Sequence, residues 1–549
     1  MKKHRRISLI SLLCAAALLA TLLAGCGSDS SSTSDTAEEE AAEEAEESTE
    51  SAEETSEETS EETSSDSASI FPLDETVTFT MYYSWSPHFV ELGYDSPNDF
   101  TFFSTLEEMT NVHIDFTTIG ADVFEENFLL MMATQDYTDI YFNCTSTYNG
   151  GVSKAIDDEA WLDLSDYIAE YAPNYTALME SDAEFKRANY TDEGAIGEFM
   201  QYYLNSFNNG GNLVRQDWLD ELGLDVPETY DDWYEVLTAF TTAYDLTDSI
   251  VQTVPTSGYW SYIEDGYVVK DGQVVNAYAD EELAMAWLET AKKWYDAGLL
   301  TIDAVISNYT DSEMREKVLN SEVGIFSIDV DQVDTYAEQS VDEDYEVTAI
   351  GKPVVNAGDV PYDASQSEYG HGFTISTACE NVELAVQWMD YWYTEEVELL
   401  ANYGVEGYSF EYDEDGVPHF TSLVLEDEDG LNFALFKYAV DWGPTVLDWD
   451  RKLDSYTEFQ QNALEVWCNN DASMGLPTYM SYTTDESSEL AQYETDIQTL
   501  IDETIPKLIT GSMSLDDYDT FVDNLNSCGL QEVLEIKQAA YERYMARGE

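Results

Sequence analysis

Residues 112–120, Val-His-Ile-Asp-Phe-Thr-Thr-Ile-Gly, decide the fold. Val112, Ile114 and Phe116 alternate with polar neighbours, the period of a strand that buries one face. Upstream, Val77–Tyr83 (VTFTMYY) has strand composition, and a helical pattern over Phe102–Met109 separates the two. Downstream, a helical stretch at Glu125–Ala133 (EENFLLMMA) leads to a short apolar run, DIYFNCT. Strand, helix and strand in alternation predict an α/β body around a largely parallel sheet.

Further along, helices dominate. In VRQDWLDELGLDVPETYDDWYEVLTAF (Val214–Phe240), Gly223 suits the end of one helix and Thr229 with Asp232 makes a capping pair for the next. Leu283, Trp287, Ala291 and Trp294 share a helical face that Gly298 closes. YVVKDGQVV is a hairpin with an Asp-Gly turn, and YSFEYDEDGVPHF is a second hairpin. YEVTAIGKPV and GHGFTIS read as strands; the C-terminal part is helical, with Gly511 and Gly529 as stops and Ser514 as a cap.

The ends differ in kind from the middle. Lys2, Lys3, Arg5 and Arg6 precede an apolar run from Ile7 to Ala24, the pattern of an export signal. Leu23-Ala24-Gly25-Cys26 resembles the bacterial lipobox, which implies cleavage before Cys26 and diacylglycerol on its thiol. Residues 1–25 are therefore expected to be a lipoprotein signal peptide. Residues 26–70 are almost pure Ser, Thr, Glu, Asp and Ala and predict a disordered acidic tether.

The net charge is −92. Setting aside the 17 acidic residues of the tether and the four basic residues of the leader leaves about −79 on residues 71–549. Such a surface excludes nucleic acid as a partner and repels anions at long range. Some 480 residues are too many for one core, so two lobes are expected. Cys144, Cys379, Cys468 and Cys528 are widely spaced with no CxxC pair; export permits disulfides, and the three pairings stay open. No nucleophile elbow, His/Glu metal motif or phosphate loop occurs. No metal and no cofactor are expected.

Several long stretches carry a resemblance. VRQDWLDELGLDVPETYDDWYEVLTAF, WLETAKKWYDAGLL, NYGVEGYSFEYDEDG and PKLITGSMSLDDYDTFVDNLNSCGLQEVLEIKQAAYERY are similar to the lipoprotein substrate-binding subunits of bacterial carbohydrate ABC importers, solute-binding protein family 1. More narrowly, the chain looks like the long Gram-positive branch related to alginate-oligosaccharide-binding proteins. The resemblance implies an α/β, two-lobed periplasmic-binding-protein-like fold (type II), each lobe a sheet flanked by helices, with a helical C-terminal extension. It places lobe 1 at 71–202 plus 352–403 and lobe 2 at 203–351 plus 404–549. Relatives often carry an EF-hand-like loop after the EVLTAF helix. Here Asp245 and Asp248 remain, but the Gly turn and terminal Glu are missing, too few donors for calcium.

A sugar site needs flat aromatic rings and planar hydrogen-bonding side chains. Trp85 follows the first strand, and Tyr148 and Asn149 follow DIYFNCT; open α/β sheets place ligands at the carboxyl ends of their strands. Gly150-Gly151 permits close backbone approach, or only a turn. Asn208 lies in NSFNNGG at the first expected crossing, and His371 in YGHGF at the second. Tyr259, Trp260 and Trp442 are loop aromatics, whereas Trp287, Trp294, Trp388 and Trp392 sit at helical spacing and read as core. Arg215 and Asp217 read as a structural pair, although Arg215, Arg315 or Arg451 is a source of positive charge should the ligand be acidic.

These residues point to a receptor that captures an oligosaccharide by closure of two lobes and delivers it to the permease subunits of an ABC importer. It would act as a monomer on the outer face of the cell membrane, anchored through lipid on Cys26. The rival classes are a tethered glycoside hydrolase, a ligand-sensing or adhesion lipoprotein, and a binder of peptides.

Overall fold

The computed structural model describes residues 69–205, 209–246, 250–251, 266–300, 311–363, 369–440 and 443–548. They lie in a compact unit that runs from Ala68 to Glu549. The leader, Cys26 and the tether up to residue 68 lie outside the described residues.

Strands are numbered in chain order. The first part holds β1 (Val77–Trp85), β2 (Val112–Gly120), β3 (Ile140–Phe142) and β4 (Phe199–Tyr203). Next come β5 (Gly210–Arg215), β6 (Ile250–Val251), the hairpin β7 (Tyr267–Lys270) with β8 (Gln273–Asn276), β9 (Ile325–Asp329) and β10 (Val347–Ile350). The last are β11 (Tyr369–Ile375), the hairpin β12 (Phe410–Tyr412) with β13 (Pro418–Phe420), and β14 (Val446–Leu447).

Two sheets organise these strands. The first has order β14-β4-β11-β3-β1-β2, the second β10-β5-β9-β6. β1 and β2 run parallel in unbroken register from Val77↔Val112 to Trp85↔Gly120, joined by helix Thr101–Thr110. This is the predicted strand–helix–strand unit. β11 runs antiparallel to both β3 and β4, so the first sheet is mixed.

Each sheet has its own core. In the first, Phe79, Met81 and Phe142 face Trp388 and Trp392 from helix Val382–Tyr391 and the residue after it. Alternate residues Tyr82 and Tyr141 point to the other face, against Phe128 and Trp161. The second core gathers Trp218, Trp233, Trp287, Trp294, Ile501 and Phe521. Helices Thr484–Ile509, Tyr518–Ser527 and Leu530–Met545, the expected C-terminal extension, pack on this second core. Trp287, Trp294, Trp388 and Trp392 are core, since aromatic burial outweighs other single contributions to packing.

The boundary expected at residue 404 needs correction. Phe433, Val440, Val446 and Leu447 join the first core, and β14 pairs in parallel with β4 through Val446↔Tyr202. The chain therefore stays with the first body until the 3-10 turn Trp449–Ser455, then enters helix Glu458–Trp467 on the second sheet. A two-residue strand carries no periodic signal, which is why the sequence hides this return.

The bodies are thus joined three times: between β4 and β5, between β10 and β11, and through the 449–455 turn. Inside each body, near two of these joints, a glycine admits a close approach. A Cβ on Gly372 would lie 1.6 Å from the Phe199 carbonyl oxygen, and one on Gly211 would lie 2.3 Å from the Trp467 ring.

Candidate functional site

Of the residues singled out in the sequence, Asn208, Tyr259, Trp260 and Trp442 lie outside the described residues, as does the side chain of His371. Its backbone runs within β11. Trp85 does end β1, but it is 4% exposed, packs at 4.7 Å on Phe89 and 5.2 Å on Phe100, and donates Nε1–H to the Tyr94 carbonyl. Its faces are covered by core rings, so it offers no platform. Tyr148 turns to the back of the sheet, 5.3 Å from Trp161, and donates its hydroxyl to Asp158 at 3.0 Å. Burial and the Asp158 carboxylate push that phenol up to about 12. Asn149 is exposed beside it, and Gly150 (φ 90°) and Gly151 (φ 66°) turn the chain into helix 151–157.

The same loop borders a cavity of about 270 Å³ at the carboxyl end of β3. Its lining includes Thr145, Ser146, Tyr190, Glu198, Tyr479 and Arg547. Glu198 is buried, and its Oε1 accepts the Gly372 N–H at 2.7 Å. Burial raises its carboxyl to about 7, against the hydrogen bonds from Gly372 and Thr145 that favour the ionised form. Tyr479 donates its hydroxyl to the Tyr369 carbonyl at 3.2 Å, and the Tyr369 ring stacks on Tyr202 with centroids 6.1 Å apart.

Next to this cluster, at the joints themselves, lies a second group. Tyr203, at the end of β4, stacks on Trp449 of the third joint with centroids 5.2 Å apart and planes at 29°. Lys452 Nζ sits 4.6 Å over the Trp449 ring. Asn205 donates to Asp448 at 3.0 Å, and Asn432 donates to Asp331 at 3.2 Å. Asn432 belongs to a helix of the first body (Leu431–Tyr438) and Asp331 to a turn of the second (Val330–Gln332), so this bond spans the two. Rings, amides and carboxylates converge here as sugar recognition requires.

Sequence reasoning missed Tyr203, Trp449, Tyr369 and Tyr479. Trp449 had the same signal as Trp442, a tryptophan outside helical periodicity in LDWDRK; the tyrosines had none among 38.

The cations considered as cleft charges are committed elsewhere. Arg215 is 1% exposed, donates from Nε and Nη2 to Asp217 and from Nη2 to Asp342 at 2.6 Å, and lies over Trp218 at 4.4 Å. Arg451 Nη1 donates to the carbonyls of Ala401, Asn402 and Val440. Arg315 donates to Gln339. Asp245 ends helix Tyr230–Tyr244 as a left-handed cap, and Asp248 lies outside the described residues. Among the described residues no group of three His, Cys, Asp or Glu is placed to hold a metal. Cys144, Cys379, Cys468 and Cys528 are all thiols, with no disulfide among them.

Comparison with known proteins agrees with this architecture. The fructooligosaccharide ABC transporter substrate-binding protein FusA of Streptococcus pneumoniae is 23% identical over 533 residues, covering 87% of this chain and 92% of that protein. Lipoprotein LipO of Bacillus subtilis is 24% identical over 370 residues, covering 62% and 70%. The crystal structure of alginate-binding protein AlgQ2 superposes with a TM-score of 0.62 at 19% identity, over 85% of this chain and 98% of that one, and shows the same two-body fold. The profile of the bacterial extracellular solute-binding proteins matches residues 101–398, more than half of the sequence and most of both sheets. With three joints between two α/β bodies and rings gathered at those joints, the chain belongs to the bacterial extracellular solute-binding protein family.

Proposed function

We propose that the protein captures a neutral oligosaccharide between its two bodies and delivers it to the permease of an ABC importer. The observation that carries this reading is the Tyr203–Trp449 stack at the joints, flanked by Asn205, Asp448, Asn432 and Asp331. A tilt of one body relative to the other would carry second-body groups toward this cluster, so ligand binding shifts the population toward the closed form. FusA and AlgQ2 carry names for a neutral and an acidic glycan respectively. The acidic body and the structural commitment of Arg215, Arg315 and Arg451 favour a neutral glycan. Asn208, Tyr259, Trp260, His371 and Trp442 remain proposed contributors, as does the exposed Asn149. The lipobox at Leu23–Cys26 would anchor the chain to the outer face of the cell membrane, and the chain acts as a binder, not a catalyst.

The test is a thermal-shift screen of the protein against neutral and acidic oligosaccharides, amino acids and peptides. A ligand of the folded state raises the melting temperature as its concentration exceeds its dissociation constant. The reading expects a shift with a neutral oligosaccharide recovered intact, lost in Trp449→Ala. A shift with peptides alone, or recovery of cleaved sugar, would overturn it.

A further inference from the structure

The last helix belongs to the second body, yet its final turn grips the first. Leu530 and Val533 are in the second core, and the Val274 N–H donates to Gln538 Oε1 at 2.7 Å. Beyond them, Arg543 Nε donates to Asp192 Oδ2 at 2.8 Å, and its two terminal nitrogens donate to Glu486 at 2.8 and 2.7 Å. Arg547 Nε donates to the other Asp192 oxygen at 2.8 Å. Asp192 lies in the turn between helix Ala183–Asn189 and β4, in the first body. Burial opposes its ionisation, but the two guanidinium groups hold it below the usual carboxylate range.

Arg547 does a second thing. Its Nη1 donates to the Tyr479 carbonyl at 2.8 Å and its Nη2 to Ser481 Oγ at 2.5 Å. Thr478, Tyr479, Met480 and Ser481 form one wall of the 270 Å³ cavity, and Arg547 itself lines it. Only 17 of the chain's 21 Lys and Arg lie beyond the leader, against 96 carboxylates beyond the tether. Two of them, within five residues, converge on one half-buried carboxylate, and Arg547 is 8% exposed. At such a site the charge-assisted bonds are much stronger than screened surface pairs.

We infer that the C-terminal turn is a clamp that positions one wall of the 270 Å³ cavity beside the Tyr203–Trp449 cluster. Arg547 holds the 478–481 segment by its carbonyl and hydroxyl, and Asp192 ties both arginines to the first body. Arg547 is thus a positioning residue. Its effect on ligand rests on the binding role proposed above; its effect on the wall does not.

Hydrogen exchange read by mass spectrometry on the full chain separates these. Arg547→Ala should speed amide exchange in 478–481 at least tenfold while leaving helix 530–542 as protected as in the parent. Arg547→Lys, which keeps the ion pair but not the forked reach, should fall between. Asp192→Asn, which leaves the helix packing intact, should loosen 478–481 together with the 190–195 turn. Titration with a short fructooligosaccharide should give a dissociation constant about tenfold weaker in Arg547→Ala. Unchanged exchange in 478–481, or loss of protection along the whole last helix, would overturn the clamp. Faster wall exchange in a protein whose parent binds no sugar would keep the clamp and remove the oligosaccharide reading.

Discussion

Replacing Glu198 by glutamine should stabilise the protein at high pH and leave it nearly unchanged at low pH. The carboxyl is buried, and burial raises it from 4.5 to about 7. A raised carboxyl binds its proton more tightly folded than unfolded, so its favourable contribution is present below pH 4.5 and is lost as pH climbs through 7. That rise corresponds to about 3 kcal/mol once both states are ionised. Glutamine never ionises, and its oxygen can still accept the Gly372 N–H while its amide faces the Thr145 hydroxyl. Between pH 5 and pH 8 the variant should therefore gain on the parent by roughly 2–3 kcal/mol. Urea denaturation followed by tryptophan fluorescence at both pH values gives this difference, and the comparison cancels any constant effect of the substitution. A gap that stays flat or narrows with rising pH would refute the assignment of Glu198 as a buried, costly charge.

Other outcomes follow from single contacts. Gly211→Ala drives a methyl into the Trp467 ring, which is 5% exposed and cannot swing away, so the melting temperature should fall by the equivalent of about 1–3 kcal/mol. Arg215→Ala leaves Asp217 and Asp342 without their shared cation and opens a gap between Trp218 and Tyr345; denaturation should show a loss of about 3–5 kcal/mol. A thiol reagent should modify Cys468 and Cys528 in the folded protein, but Cys144 and Cys379 only after denaturant is added, since burial also pushes the Cys379 thiol up to about 11. Reductant should leave the melting temperature unchanged.

Much of the fold was legible where local chemistry is strong. β2 spans the alternating run from Val112 to Gly120, and the Thr229–Asp232 capping box closes as its spacing requires. Asp271 and Gly272 take the positive φ of the predicted hairpin turn, and Gly223, Gly298, Gly511 and Gly529 all adopt positive φ near helix ends. What stayed hidden depends on partners distant in sequence. β3 has three residues and β14 two, and only the neighbouring strands make them strands. Trp85 reads as a cleft residue from its position, yet Phe89 and Phe100 fold over it. Tyr203 and Trp449 are 246 positions apart, and no pattern in either neighbourhood announces that they stack. A site assembled at joints between bodies is written in topology more than in any single stretch.

The threefold joining of the bodies has a dynamic consequence. Two rigid objects linked at one point keep three rotational freedoms; linked by three neighbouring segments of backbone, they keep essentially one. Motion along a single coordinate means that optical or spin probes placed anywhere across the gap should relax with one shared time constant, and that little orientational entropy is left for a captured molecule to remove.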